Sequence, residues 1–333
     1  APGVWLSPWG GYGKPRKQRL EFGQTAGYET NEKGFVLSAP KYYKRFREIC
    51  MHMARDFGVN QFKFDGIGRA GGRYPGSAFG NDFLAAIQLI RDLRQTKPDI
   101  FINLTTGTWP SPFWLHHVDS IWRGGYDHEF TGVGSDRQKW MTYRDAMTYQ
   151  NVVRRAPLFP LSSLMLHGII YAKHARQLNT DPNDDLRDEI LTAFGCGTQL
   201  QEMYISPDLL TEKNWDDLAK SARWARKNAA TLRDTHWIGG DPARLQVYGW
   251  ASWSPWKGIL VLRNPADKAQ EFDIDIAQAF ELPEGAPKKY RLTDPFRAGH
   301  TDVLELSAGK PRTLTIRPFG VLVFDARPYG AES

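Results

Sequence analysis

Apolar residues in the first two-thirds of the chain form short runs that alternate with stretches of helical periodicity. From 40 to 57 they recur every three or four residues, which predicts an amphipathic helix that begins at Pro40 and ends before Gly58. The same reasoning predicts helices over about 83–94, 136–153 and 186–194. The apolar runs predict six short strands, over 3–8, 59–65, 100–104, 118–122, 164–167 and 199–205.

Strands that alternate with helices, each followed by a polar or Gly-rich segment, are typical of a parallel β/α architecture. We therefore predict an α/β fold over 1–235, a partial (β/α)₈ TIM-type barrel of about six units that correspond to strands 3 to 8. Between 241 and 330 the pattern changes to short alternating or apolar runs separated by Gly and Pro. This change predicts a small C-terminal antiparallel β-sandwich domain, joined to the barrel by a helix from 215 to about 232.

The composition of the chain indicates which kinds of partner it can bind. The net charge of +6 comes from interspersed basic and acidic residues. We therefore expect a solvated surface of mixed charge, and we expect no nucleic-acid partner. No apolar run is long enough for a membrane span. The two cysteines lack metal-ligand spacing, so we expect buried thiols and no metal site. We expect no cofactor either. The cysteines do not indicate the cellular compartment. Twelve tryptophans, many beside Gly, Pro or Ser, favour a carbohydrate partner, because exposed indoles stack on sugar rings.

Asp65 closes the second strand in the run Lys63-Phe64-Asp65-Gly66. In parallel β/α barrels the chemistry lies where strands end and loops begin, so this carboxylate is expected at the mouth of the barrel. An Asp that caps the following segment explains the same pattern. The spacing alone does not choose between these interpretations.

Asp127 follows the fourth strand in a Gly-rich loop, where a simple turn residue is the alternative interpretation. Two acids at the mouths of strands two units apart can converge on one pocket. Retaining glycosidases need such a pair, about 5–5.5 Å apart, as nucleophile and acid/base. The loop also holds His128, Glu129 and Asp136 as spare acids, although Asp136 is the expected N-cap of the next helix.

Three short motifs resemble those of the clan D retaining glycosidases, the α-galactosidases and α-N-acetylgalactosaminidases. Lys63-Phe64-Asp65-Gly66 is similar to their nucleophile motif, and Trp122-Arg123-x-x-x-Asp127 is similar to their acid/base motif. Trp109-Pro110 matches the Trp-Pro of their fifth-strand loop. The order and spacing of the motifs also fit, and the resemblance covers roughly 1–235.

The resemblance implies a role for each matching residue. Asp65 would be the nucleophile and Asp127 the general acid/base. Lys63 and Arg123 would bind sugar hydroxyls, and Trp109 would shape the pocket. The predicted substrate-binding residues also include Thr108, Ser111 and Trp5. Among these, Thr108 and Ser111 are small where α-galactosidases carry a larger pair, which favours a sugar with a 2-acetamido group.

The chain also departs from the family pattern. The first two barrel strands, with the acidic pair on the second, have no counterpart, and no Asp pair lies near 157–160. Either the chain is a fragment or those units come from a further N-terminal segment. The sequence predicts a retaining, metal-free α-glycosidase that hydrolyses terminal α-galactosides or α-N-acetylgalactosaminides by double displacement. The alternative is a non-catalytic carbohydrate-binding or scaffold protein with a degenerate glycosidase barrel.

Overall fold

The structure, a computed structural model, describes residues 1–66, 72–105, 110–155, 158–297 and 303–330. The chain divides into two units, Ala1–Gly124 and Gly125–Ser333, and each is described by itself. The first unit contains, in order, β1 (Gly3–Leu6), α1 (Gly13–Thr25), β2 (Thr30–Asn31), β3 (Gly34–Phe35), α2 (Pro40–Asp56), β4 (Gln61–Phe64), α3 (Asp82–Thr96), β5 (Phe101–Leu104) and β6 (Ser120–Trp122).

Four strands of the first unit form a parallel sheet in the order β1-β4-β5-β6. Because side chains alternate along a strand, a row of residues in register across the four strands points to one face of the sheet, and the next row points to the other face. One row is apolar, with Leu6, Phe64, Leu104 and Ile121 in register. The adjacent row is largely polar and faces the other way; it consists of Trp5, Lys63, Asn103 and Ser120.

The helix predicted from Pro40 is confirmed as α2, which begins at Pro40 and ends at Asp56. Its buried face includes Phe46, Cys50 and Ala54, three residues of the predicted apolar face. Helix α1 was missed, because it lies where a Gly-rich loop was expected and buries only Gly23 among its residues. A helix that is polar nearly all round carries no periodic signal in its sequence.

The second unit begins with the remaining β/α elements and continues into antiparallel sheets. Its helices are α4 (Asp136–Thr148), α5 (Leu186–Gly195), α6 (Glu212–Lys227), α7 (Ala229–Leu232) and α8 (Ile276–Ala279). Its strands are β7 (Leu164–Tyr171), β8 (Leu200–Ile205), β9 (His236–Gly239), β10 (Tyr248–Ser254), β11 (Lys257–Arg263), β12 (Gln270–Ile274), β13 (Lys289–Thr293), β14 (Leu304–Ser307), β15 (Arg312–Ile316) and β16 (Val321–Pro328).

Strands β7 and β8 pair in parallel, which brings the parallel strands of the described residues to six. The C-terminal strands form an antiparallel sheet in the order β14-β13-β16-β11-β10-β9, and β12 pairs with β15. The core of this region contains Leu260, Leu262, Tyr290 and Leu292, all fully buried. The predicted fold class, a partial β/α barrel followed by an antiparallel β region, is confirmed.

Helix α4 is buried on almost every side, although it carries charged residues. Arg263 of β11 donates to the Gln138 side chain at 2.9 Å and to the Tyr248 hydroxyl at 2.7 Å. That hydroxyl donates to Asp145 at 2.6 Å, and Asp145 also pairs with Arg144. Because each of these side chains has polar partners, the network ties α4 to β10 and β11.

Both cysteines, Cys50 and Cys196, are free and buried, as predicted. Burial raises the pKa of the Cys50 thiol to about 12. Within the described residues, no helix has the length and apolar character needed to cross a membrane. The same part of the chain contains no group of three or more His, Cys, Asp or Glu side chains arranged to hold a metal ion.

Candidate active site

Asp65 lies directly after β4, at the carboxyl end of the parallel sheet of the first unit. Its backbone N–H donates to the Leu6 carbonyl at 2.9 Å, which continues the β1–β4 pairing by one residue. The side chain is buried, with 8% of the residue exposed. The strand therefore ends on an acid that is held in the sheet rather than in a loose turn.

Three side chains from distant parts of the first unit donate hydrogen bonds to the Asp65 carboxylate. Thr105, the residue after β5, donates to Oδ1 at 2.5 Å, and the Tyr12 hydroxyl donates to the same oxygen at 3.2 Å. The Trp5 indole N–H donates to Oδ2 at 3.1 Å. Donors on both oxygens fix the orientation of the carboxylate. The capping interpretation of Asp65 concerns residues 67–68, which lie outside the described residues.

Lys63 lies beside Asp65, because residues two apart on a strand point to the same face. It is 8% exposed, and its ammonium Nζ lies 5.1 Å from the centroid of the Trp5 ring, within cation–π range. Trp5 itself is 61% exposed. The residues Trp5, Tyr12, Lys63, Asp65 and Thr105 form one group, which we call the Asp65 cluster.

Of the other predicted binding residues, the structure describes Arg123 and Ser111. Arg123, the residue after β6, is fully buried, donates to the Gly124 carbonyl and lies 5.9 Å from the Trp122 ring centroid. Ser111 caps the short 3₁₀ helix Pro112–His116 by accepting from the Phe113 N–H at 3.3 Å. Thr108 and Trp109 lie outside the described residues.

Asp127 belongs to the second unit and lies in the loop before α4. Its side chain is 80% exposed, and one carboxylate oxygen lies 3.4 Å from Nε2 of His167. The loop is anchored one residue earlier, where the Tyr126 N–H donates to the Tyr143 hydroxyl of α4 at 2.8 Å. Asp127 therefore differs from Asp65 in having a largely solvated carboxylate.

His167 and two of its neighbours, Glu202 and Tyr204, were not among the predicted site residues. The His167 side chain is 4% exposed on β7, and its Nδ1 lies 3.1 Å from Glu202 on β8. The His167 and Tyr204 rings stack at 5.4 Å, and the Tyr204 hydroxyl donates to Glu202 at 2.9 Å. The available signal was a His inside the apolar run Leu164–Tyr171, where a polar residue requires a partner. We call Asp127, His167, Glu202 and Tyr204 the His167 cluster.

The spare acids of the Asp127 loop have local contacts. Glu129 accepts from the Phe130 N–H at 3.1 Å, and the rings of His128 and Phe130 lie 6.2 Å apart. Asp136 pairs with Lys139, one turn along α4. The N-cap of α4 is Ser135 rather than Asp136, because the Ser135 hydroxyl accepts from the Gln138 N–H.

Comparison with known proteins yields similarity in fold only. No family model matches the sequence, and no curated protein matches it. Many solved structures do match, among them an α-amylase from Anoxybacillus at 12% identity with a TM-score of 0.60. That similarity covers 98% of this chain and 76% of the amylase.

Two further matches are relevant to the predicted substrates. An α-galactosidase of glycoside hydrolase family 36 from Geobacillus stearothermophilus, solved with 1-deoxygalactonojirimycin, is 10% identical with a TM-score of 0.65, over 98% of this chain and 44% of the other. A candidate α-N-acetylgalactosaminidase from Bacillus halodurans is 13% identical with a TM-score of 0.55, over 90% of this chain and 66% of the other. The chain thus has the fold of glycoside hydrolases and spans less than two-thirds of these last two proteins.

Proposed function

We propose that the chain carries the catalytic residues of a retaining α-glycosidase that acts on terminal α-galactosides or α-N-acetylgalactosaminides. The observation that carries the proposal is the buried Asp65 carboxylate at the end of β4, oriented by the side chains of Trp5, Tyr12 and Thr105. A nucleophilic carboxylate must be held in position in this way, because attack on the anomeric carbon depends strongly on geometry. The glycoside hydrolase fold supports the same assignment.

In the proposed reaction an Asp65 oxygen attacks the anomeric carbon while the bond to the leaving oxygen breaks. Asp127 gives its proton to that oxygen, so the alcohol departs and a glycosyl ester of Asp65 remains. Asp127 then takes a proton from water, and the water oxygen displaces Asp65 with a second inversion. Oδ1 of Asp65 accepts two hydrogen bonds and Oδ2 accepts one, so we propose Oδ2 as the attacking atom.

The remaining assignments concern the sugar. We propose that the exposed Trp5 ring and the Lys63 ammonium contact the sugar that Asp65 attacks, because the two side chains contact each other and Trp5 contacts the carboxylate. Arg123 is proposed to bind sugar hydroxyls, as its counterpart in the motif implies, which requires its fully buried guanidinium to become accessible to the sugar. Small side chains at Thr108 and Ser111, beside Trp109, would leave room for a 2-acetamido group, so both sugars should be tested.

The test is hydrolysis of an aryl α-galactoside and its 2-acetamido analogue by the full chain. Asp65→Ala should lower kcat by about 10⁴-fold, as expected for loss of a nucleophile. The first sugar product should retain its anomeric configuration when followed by NMR. Azide should restore activity to Asp127→Gly and yield a glycosyl azide, because it attacks the glycosyl ester without help from a base. Full activity in Asp65→Ala would refute the proposal.

A second candidate function is sugar binding without hydrolysis, and the exposure of the Asp127 carboxylate favours it. A general acid works best where water is excluded, and Asp127 lies largely in solvent. Calorimetric binding of galactose or N-acetylgalactosamine, combined with no hydrolysis over a panel of aryl glycosides, would support this candidate. Hydrolysis that depends on Asp65 would exclude it.

A further inference from the structure

The His167 ring has a close neighbour in the His167 cluster at each of its nitrogens and on one of its faces. Nδ1 faces the Glu202 carboxylate at 3.1 Å, Nε2 faces Asp127 at 3.4 Å, and one face stacks on Tyr204. Glu202 is itself held by the Tyr204 hydroxyl at 2.9 Å. A ring that rotates away from this position loses contacts on three sides, which favours the observed orientation of the imidazole.

The strand pairing explains why these residues meet. His167 on β7 and Glu202 on β8 are direct partners in the parallel register, and a register shift follows between His167 and Ile169. Irregularities of this kind re-aim side chains and are frequent next to active sites. Because both residues lie on strands, the cluster presents a rigid nitrogen, Nε2, to the loop that carries Asp127.

Asp127 needs such a partner more than Asp65 does. It lies in a loop that includes Gly125 in the left-handed region (φ 89°), and its side chain is 80% exposed. An exposed carboxyl group samples several rotamers, and each misplacement by about 1 Å can lower a rate by about 10²-fold. A fixed imidazole at 3.4 Å restricts those rotamers.

We propose that His167 is the positioning residue for the carboxyl group of Asp127, with Glu202 and Tyr204 holding the imidazole in place. This inference rests on the proposed function, in which Asp127 is the acid/base. It resembles other active sites in which a third group orients an imidazole that contacts the reacting side chain. Here the reacting side chain is the carboxyl group of Asp127, and Glu202 is the third group.

Two variants distinguish a positioning role of His167 from a role in packing alone. In His167→Gln the amide nitrogen can occupy the place of Nε2, so the contact with Asp127 survives and the contact with Glu202 is lost. In His167→Asn the amide nitrogen takes the place of Nδ1, so the reverse holds. We expect His167→Asn to lose about 10²-fold in kcat/KM on an alkyl α-galactoside, and His167→Gln to lose less than about 10-fold.

The leaving group supplies the second readout. A 2,4-dinitrophenolate departs without a proton, so kcat/KM on the dinitrophenyl α-galactoside should change by only a few-fold in either variant. The matched control is His174→Ala, which removes an exposed His a few residues beyond β7 and should leave both substrates unaffected. Far-UV circular dichroism of each variant checks that it is folded.

The outcomes are distinct. A larger loss in His167→Asn than in His167→Gln, confined to the alkyl substrate, supports the inference. Equal losses in both variants, or equal losses on both substrates, overturn it and leave the proposed function intact. A wild-type chain that hydrolyses neither substrate overturns the proposed function and, with it, the catalytic role of this contact.

Discussion

Glu189 is a fully buried acid on α5 that joins α4, α5 and β7 inside the second unit. Its carboxylate pairs with Arg137 and accepts hydrogen bonds from the Trp140 indole and the Ile170 N–H, each at 2.9 Å. Arg137 and Trp140 belong to α4, which follows the Asp127 loop, and Ile170 belongs to β7, which carries His167. We expect Glu189→Ala to lower the free energy of unfolding by about 3–5 kcal/mol, because two buried N–H groups lose their acceptor and Arg137 loses one of its two carboxylate partners.

The contacts that remain after the substitution set the size of this loss. The Trp140 and Ile170 N–H groups lose their acceptor, and each such buried group costs about 1–3 kcal/mol. Arg137 keeps its pair with Asp181 at 3.2 Å and donates to the Ile170 carbonyl at 2.8 Å, so its charge stays compensated. Glu189→Gln retains an acceptor for the two N–H groups and should lose less, about 1–3 kcal/mol.

Urea unfolding followed by tryptophan fluorescence measures these differences. The control is Glu305→Ala, which breaks an exposed pair with Arg291 and should leave the unfolding midpoint unchanged. A loss below about 1 kcal/mol in Glu189→Ala would show that the buried carboxylate is not needed to satisfy its three partners. An equal loss in the Gln and Ala variants would refute the part of the reasoning that concerns the two N–H groups.

Three further predictions concern single side chains. Burial raises the pKa of the Asp188 carboxyl to about 6 from 3.8, so the folded state holds this proton more tightly and stability falls as pH rises from about 4 through 6. Asp188→Asn should therefore match the wild-type free energy of unfolding near pH 4 and exceed it by up to about 3 kcal/mol at pH 7. Denaturant titration at the two pH values measures the difference. Trp5→Phe removes the indole donor to Asp65 and should lower kcat/KM on the aryl α-galactoside by about 10- to 100-fold, whereas Trp256→Phe, at an exposed tryptophan of the second unit, should leave it unchanged. Cys50 is fully buried, and its raised pKa of about 12 leaves little thiolate, so iodoacetamide at pH 8 should modify it only after unfolding; rapid labelling of the native protein, read by mass spectrometry, would contradict this.

The local spacing of residues determined several elements from the sequence alone. Helix α2 begins at Pro40 and ends at Asp56 as its apolar periodicity and Gly58 predict, because a helix is specified by residues three and four apart. The end of β4 at Phe64, with Asp65 next, likewise follows from an apolar run that closes on an acid. The fold class followed from the order of such elements.

Only the tertiary structure showed what surrounds each acid. Trp5, Tyr12 and Thr105 reach Asp65 across 60, 53 and 40 residues of chain, and no local pattern encodes contacts at such separations. His167 and Glu202 meet because β7 and β8 pair in one particular register, and a shift by one residue would point one of them to the opposite face. Short-range periodicity therefore determined the elements and the strand end at which Asp65 lies. Strand register and loop closure, which depend on the packing of the whole chain, decided which side chains orient Asp65 and Asp127.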